Sequence, residues 1–152
     1  MVSAQGSPGD DGRRALLRSR NAVAAVFALN GLAIANWISR VPAIRDELEL
    51  TPAQVGLLLL AMSTGAVIAL PSAGAVVQRM GPARTVAAGG IAACAGILVV
   101  GVGASALGSA AMVAVGLFAF GSGAGVWDVA MNVEGADVER CLERTVMPRF
   151  HA

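Results

Sequence analysis

The sequence is poor in charge. Only 14% of its 152 residues are Asp, Glu, Lys or Arg, where a soluble domain carries about 25%. Lysine is absent, so all 11 basic residues are arginine. Tyrosine is absent too, and aromatic residues make up 4% of the chain. There are two cysteines and one histidine. Each shortage excludes a class. A net charge of +1 supplies no basic face for nucleic acid. Together with 56% hydrophobic residues, it also excludes a disordered chain. Two cysteines cannot make a disulfide scaffold. The lone histidine, His151, is next to last, and no Ser or Cys is placed to partner it. A hydrolase site therefore has no support, and no enzyme activity, cofactor or metal site is expected. What the chain does have is 31 Ala and 19 Gly, about a third of its length. Its mean hydropathy is +0.70.

The charges that exist come in blocks. Asn21 to Ser39 is 19 residues without charge, Leu50 to Gln78 is 29, and Thr85 to Trp127 is 43. A bilayer core of about 30 Å takes about 20 apolar residues as helix. The first two runs fit one span each. The third would be roughly 65 Å long as one helix and must fold back. Its turn is expected in the Gly- and Ser-rich stretch Gly101–Ser109. Four transmembrane helices follow, at about 21–39, 53–78, 85–103 and 108–132. Four such runs leave no amphipathic surface to face water. Their continuity, without alternation, argues against a β-barrel. The fold class is an all-α membrane protein.

Residues 1–20 read as a polar tail, disordered as far as about Arg14. Ala33-Ile34-Ala35 mimics a signal-peptide cleavage site, but Asn30 interrupts the apolar stretch and further spans follow, which favours an uncleaved first helix. Arginine sets the orientation. Nine lie in the tail, in the 79–84 turn and after residue 132. Arg40 and Arg45 alone lie opposite. The N-terminus and residues 133–152 are expected in the cytoplasm, with Cys94 and Cys141 outside any disulfide. A multi-pass protein of the plasma membrane is expected, with the lipid bilayer as its first partner.

Local signals mark the helix ends. Thr51-Pro52-Ala53-Gln54 has the pattern of a capping box with Pro at the first helical position. Val41–Leu50 reads as a short amphipathic stretch at the outer interface. Trp37 ends the first span, where an indole commonly sits at headgroup level; a solute contact is the other reading. Pro71 lies inside the second span, as a bend or a gating hinge.

A few polar residues stand within the apolar runs. Asp128 lies toward the cytoplasmic end of the fourth span, where an acid costs a few kcal/mol unless it faces protein or water. Gly121, Gly125, Asp128 and Asn132 are spaced 4, 3 and 4. At 100° per residue they share one stripe of about 60°. The two glycines permit close helix packing, so this stripe is expected to face protein. Asp128 then either marks the membrane boundary as a solvated group or carries a proton or a polar solute in a cavity. Asn30 and Asn36 are the polar residues of the first span, bonding either a neighbouring helix or a solute. The run Gly121-Ser122-Gly123-Ala124-Gly125 lacks the Lys and the preceding strand of a phosphate loop.

These residues resemble a family. Gly74, Gln78, Arg79, Gly81 and Arg84 are similar to the loop 2–3 signature of the major facilitator superfamily, with Gln78 where the family has an acid. The stretch Gly121–Asn132 resembles the fourth span of fucose-permease-like sugar transporters, which carry an acid followed four residues later by Asn. Asn36-Trp37-Ile38-Ser39-Arg40-Val41-Pro42 and Met147–His151 are similar to the same branch. The resemblance covers roughly residues 20–152. It implies that the first and fourth spans line a central cavity and that Asp128 and Asn132, with Asn30 and Asn36, serve proton coupling or solute binding. The family has twelve spans in two six-helix halves of inverted three-helix repeats. On that pattern the chain is the N-terminal portion of a proton-coupled secondary transporter for a sugar or other small polar solute. Residues 133–152 then lead toward a fifth helix, and the remaining helices are its partners. The alternatives are a complete four-helix protein acting as a dimeric exporter and a non-transporting assembly partner.

Overall fold

The computed structural model describes residues 8–142 together with 145 and 148. The expected fifth-helix lead-in beyond Leu142, with Glu143, Arg144, Arg149 and the Met147–His151 motif, falls almost wholly outside the described residues. So does the start of the tail. Four helices account for nearly everything else: α1 (Pro8–Glu47), α2 (Pro52–Met80), α3 (Pro82–Gly101) and α4 (Ala110–Leu142). A π-helical turn, Val102–Ala106, prolongs α3. All four are long and apolar enough to cross a membrane.

The helices overrun the charge-free blocks. The 40 residues of α1 measure about 60 Å, twice a bilayer core. The tail expected to be irregular as far as about Arg14 is helical from Pro8. Pro suits a first helical turn, and the Arg, Ala and Leu that follow are strong helix formers. Pro42 lies inside the same helix, so Val41–Glu47 continues α1 rather than forming a separate interfacial segment. Polar sequence ends a membrane span, but it does not end a helix.

The connections are short and chemically explicit. Thr51 caps α2 with a complete capping box: its backbone N–H donates to Gln54 Oε1 at 2.8 Å, and Gln54 N–H donates back to Thr51 Oγ1. Gly81 alone joins α2 to α3, with φ 81° and ψ 157°. That region is essentially reserved for glycine. Its N–H donates to the Val77 carbonyl at 2.9 Å, closing α2, and its own carbonyl accepts from Thr85 N–H and Thr85 Oγ1, opening α3. At the opposite end the chain turns at 107–109. Gly108 is left-handed at φ 56°, and Ser109 Oγ accepts from Met112 N–H to start α4.

Helix α4 is the spine of the bundle. It packs along α3 and α2, and more lightly on α1. Val113, Leu117 and Phe120 are its fully enclosed apolar anchors. Glycine lets both neighbours approach. Toward α3, which runs antiparallel, Gly116 opposes Gly96 and Gly123 opposes Gly89. Toward α2, which runs parallel, Gly121 lies against the Met62 carbonyl and Gly125 against Ala66. In lipid, apolar burial gives helices no net drive to associate, so close backbone contact of this kind carries the packing. The outward faces hold large aliphatic residues such as Leu32, Leu57, Ile68, Ile91 and Leu98, which suits hydrocarbon as solvent.

Candidate functional site

The stripe of Gly121, Gly125 and Asp128 turns toward α2 and borders a groove between α1, α2 and α4 with a volume of about 400 Å³. Gly121 and Gly125 seat α4 on α2 on one side of this groove. One turn further along, Asp128 stands on its rim, exposed. The remaining wall is aliphatic, from Ile34 of α1 and Val67 and Leu70 of α2. Polar groups enter from three helices: Asn30, Ser63 and Asp128.

Asn30 is the most constrained of them. It is 5% exposed, and its Nδ2 donates to the thioether Sδ of Met131 at 3.7 Å. Its Oδ1 is buried and has no hydrogen-bond partner among the described residues. An unpaired amide oxygen in an apolar wall costs roughly 1–3 kcal/mol. The sequence brought Asn30 and Asp128 forward separately, and the crossing of α1 over α4 puts them in one groove.

The other sequence candidates are elsewhere. Asn132 donates from Nδ2 to the Asp128 backbone carbonyl at 2.9 Å, within its own helix turn. Asn36 does not reach the groove. Six residues beyond Asn30 on a 3.6-residue helix, it points about 240° away. Its Oδ1 accepts from Arg40 Nε at 3.0 Å, and it lines a separate cavity near the 107–109 end. Trp37 is 2% exposed, packed beneath the α1–α2 corner and against α3 rather than lying out at a headgroup surface. Pro71 sits within an unbroken α2. Gly74, Gln78, Arg79 and Arg84 are exposed around the Gly81 turn. Neither arginine has an ion-pair partner among the described residues, and Gln78 offers no charge to supply one.

Two contributors escaped the sequence reading. Ser63 had a signal, as a polar residue after the run Leu57–Leu60. Met131 had none, because a thioether becomes an acceptor only once Asn30 is set beside it. Among the described residues no cluster of His, Cys, Asp or Glu is arranged to hold a metal ion. A groove of this size, with the exposed Asp128 carboxylate on its rim and Asn30 in its wall, can accept hydrogen bonds from a small hydroxylated or protonated solute.

The chain is thus a multi-pass, all-helical membrane protein with a polar-tipped groove among three of its spans. An uncharacterized transporter of Sinorhizobium fredii is 35% identical over 139 residues, 91% of this chain and 36% of that protein. An uncharacterized MFS-type transporter of Yersinia pestis is 30% identical over 125 residues, 82% of this chain and 32% of that protein. The chain therefore spans about a third of the length of the curated relatives it matches. No family model and no solved structure matches it.

Proposed function

We propose that this chain is the N-terminal portion of a secondary active transporter of the major facilitator superfamily, of the fucose-permease-like branch. The groove between α1, α2 and α4 is one wall of its solute path. Asp128 takes up and releases the coupling proton, and Asn30 Oδ1 accepts a hydrogen bond from the solute, a sugar or similar small polar molecule. The observation that carries this reading is that Asp128 and Asn30, whose Oδ1 is buried without a partner among the described residues, line one groove. Ionisable and unsatisfied polar groups are costly within a membrane and are kept where a solute or ion passes. The names of the two relatives support the transport class.

Alternating access then brings the opposing wall from the remaining helices of the transporter. Among the described residues, seven arginines on the side of the Gly81 turn against two on the other support an N-terminus in the cytoplasm, in the plasma membrane. The Gly81 turn with Arg79 and Arg84 is then the cytoplasmic connection between α2 and α3.

The test is uptake of a panel of neutral sugars by the full-length transporter in proteoliposomes under an inward proton gradient. The expected result is gradient-driven uptake that D128N abolishes at normal protein yield. Gradient-driven uptake unchanged in D128N would refute the role given to Asp128.

A further inference from the structure

A second cavity lies between α1 and α3, near the 107–109 end and apart from the groove that holds Asp128. Its volume is about 210 Å³. Its wall changes character along the helix axis. Ile97 and Val100 of α3 form the deeper part, below the π-helical turn. Arg40, Glu47 and Ser105 form the end nearer the chain turns. Arg40 is the first charge after the uncharged run Asn21–Ser39, so it stands where hydrocarbon gives way to headgroups. Apart from Asn36, the cavity is apolar on the hydrocarbon side, and it is ionic on the water side.

The charges are placed for a ligand with two of its own. Asn36 Oδ1 accepts from Arg40 Nε at 3.0 Å, which leaves the two terminal guanidinium nitrogens without a partner among the described residues. Those nitrogens form the fork that matches a phosphate. Glu47 follows seven residues later on the same face of α1, about 10 Å further from the hydrocarbon. The Arg40–Glu47 spacing is too long for a direct ion pair within the helix, where partners stand three or four residues apart. It leaves room for an anion against Arg40 and a cation beyond it against Glu47. Trp37 forms part of the wall, and its buried indole N–H lacks an acceptor among the described residues. The π-helical turn completes the opposite side; such turns are frequent at functional sites.

We infer that this cavity is a binding site for a zwitterionic aminophospholipid. The phosphate sits on Arg40, the primary ammonium on Glu47, and an acyl chain runs down past Val100 and Ile97. An anionic lipid without an amine meets the Arg40 fork but is repelled by Glu47. A soluble phosphoamine meets both charges but has nothing for the aliphatic half. The inference does not rest on the transport reading, since the charges and the aliphatic wall it uses belong to this chain alone.

The test is native mass spectrometry of the purified full-length protein in detergent, supplied with equal amounts of phosphatidylethanolamine and phosphatidylglycerol. The wild type should retain phosphatidylethanolamine over phosphatidylglycerol by about fivefold, the contribution of one favourable charge near a membrane surface. R40Q should lower retention of both lipids about fivefold. E47Q should raise phosphatidylglycerol until the two are equal. R45Q, on the same helix but outside the cavity, should leave the preference in place, and melting curves establish that each variant is folded. Equal retention of the two lipids by the wild type, or a preference that survives E47Q, would overturn the proposal. Displacement of the bound lipid by soluble glycerophosphoethanolamine at equal concentration would also overturn it, because the site would then take a free solute.

Discussion

Gly96 of α3 and Gly116 of α4 lie back to back across the helix interface. A Cβ placed on Gly96 would stand 2.7 Å from the Gly116 carbonyl oxygen and 2.5 Å from the Phe120 backbone nitrogen. Both neighbours are backbone and cannot rotate aside. Seven residues along each helix, Gly89 and Gly123 repeat the relation: a Cβ on Gly123 would stand 2.7 Å from the Gly89 carbonyl oxygen. The antiparallel pair α3–α4 is therefore joined at two points by backbone-to-backbone approach. Overpacking at such a point costs about 1–3 kcal/mol. G96A is expected to lower the melting midpoint in detergent clearly. G56A, where nothing lies within 4 Å of the new Cβ, is expected to leave it unchanged or raise it. Equal midpoints for the two variants would contradict this account of the interface.

Asn30 separates a structural from a functional role. Its Nδ2 bonds Met131 Sδ while its Oδ1 is unpaired. M131L removes the acceptor but keeps the volume, leaving a buried N–H without a partner, and should cost about 1 kcal/mol or more. N30L removes both polar atoms together and should be close to neutral in stability. If Oδ1 waits for a solute hydroxyl, N30L also abolishes uptake by a protein that still melts normally. Full uptake by a folded N30L protein would remove Asn30 from the solute path.

Much of this architecture was legible because its causes are local or one-dimensional. The charge-free blocks mark the four helices that are long and apolar enough to cross a membrane, since hydropathy is read along the chain. The Thr51–Gln54 box and the fold-back between Gly101 and Ser109 follow from the backbone chemistry of the residues at those points. The stripe of Gly121, Gly125 and Asp128 follows from helix periodicity alone. What was not legible depends on the rotation of one helix against another. Asn30 and Asn36 look alike in sequence, yet about 240° of helix turn sends one to the groove and the other to the cavity beside α3. Trp37 is buried because α1 leans over α2 and α3 at that height, which no pattern in α1 announces. The beginning of α1 was missed for another reason, since polarity marks the end of hydrocarbon and not the end of a helix.

Gly81 concentrates the link between α2 and α3 in one residue. With φ 81° and ψ 157° it occupies backbone space open essentially only to glycine. The segment has no slack, because Val77 bonds its N–H and Thr85 bonds its carbonyl. G81A is expected to cost about 1–3 kcal/mol, although no side chain lies within 4 Å of the new Cβ. T85A removes a hydroxyl that is wholly buried and bonded to the Gly81 carbonyl at 2.8 Å, and should cost about 1 kcal/mol. Thermal melting of the two variants checks both values. A G81A protein as stable as the wild type would show that the strain is relieved by a shift of α3.

Glu49 offers the opposite case, a position where glycine is missing. Its φ of 51° places it in the left-handed region at the end of α1. The hydrogen bonds there are those of a Schellman motif. Leu50 N–H donates to the Arg45 carbonyl at 2.8 Å, and Glu49 N–H donates to the Asp46 carbonyl at 3.3 Å. The accompanying apolar contact is also present, since Leu50 and Ile44 are both buried and line one small cavity under the corner. A non-glycine residue in this conformation loses roughly 1–2 kcal/mol. The side chain gives nothing back, for Glu49 is exposed and has no hydrogen bond or ion pair among the described residues. E49G is therefore expected to raise stability by about 1 kcal/mol, less the greater freedom that glycine gives the unfolded chain. E49V should lower it, because a β-branched residue tolerates positive φ least. The ordering of melting midpoints, E49G above wild type above E49V, is the measurement. An E49V midpoint at or above the wild type would mean that the corner is not held in this left-handed turn.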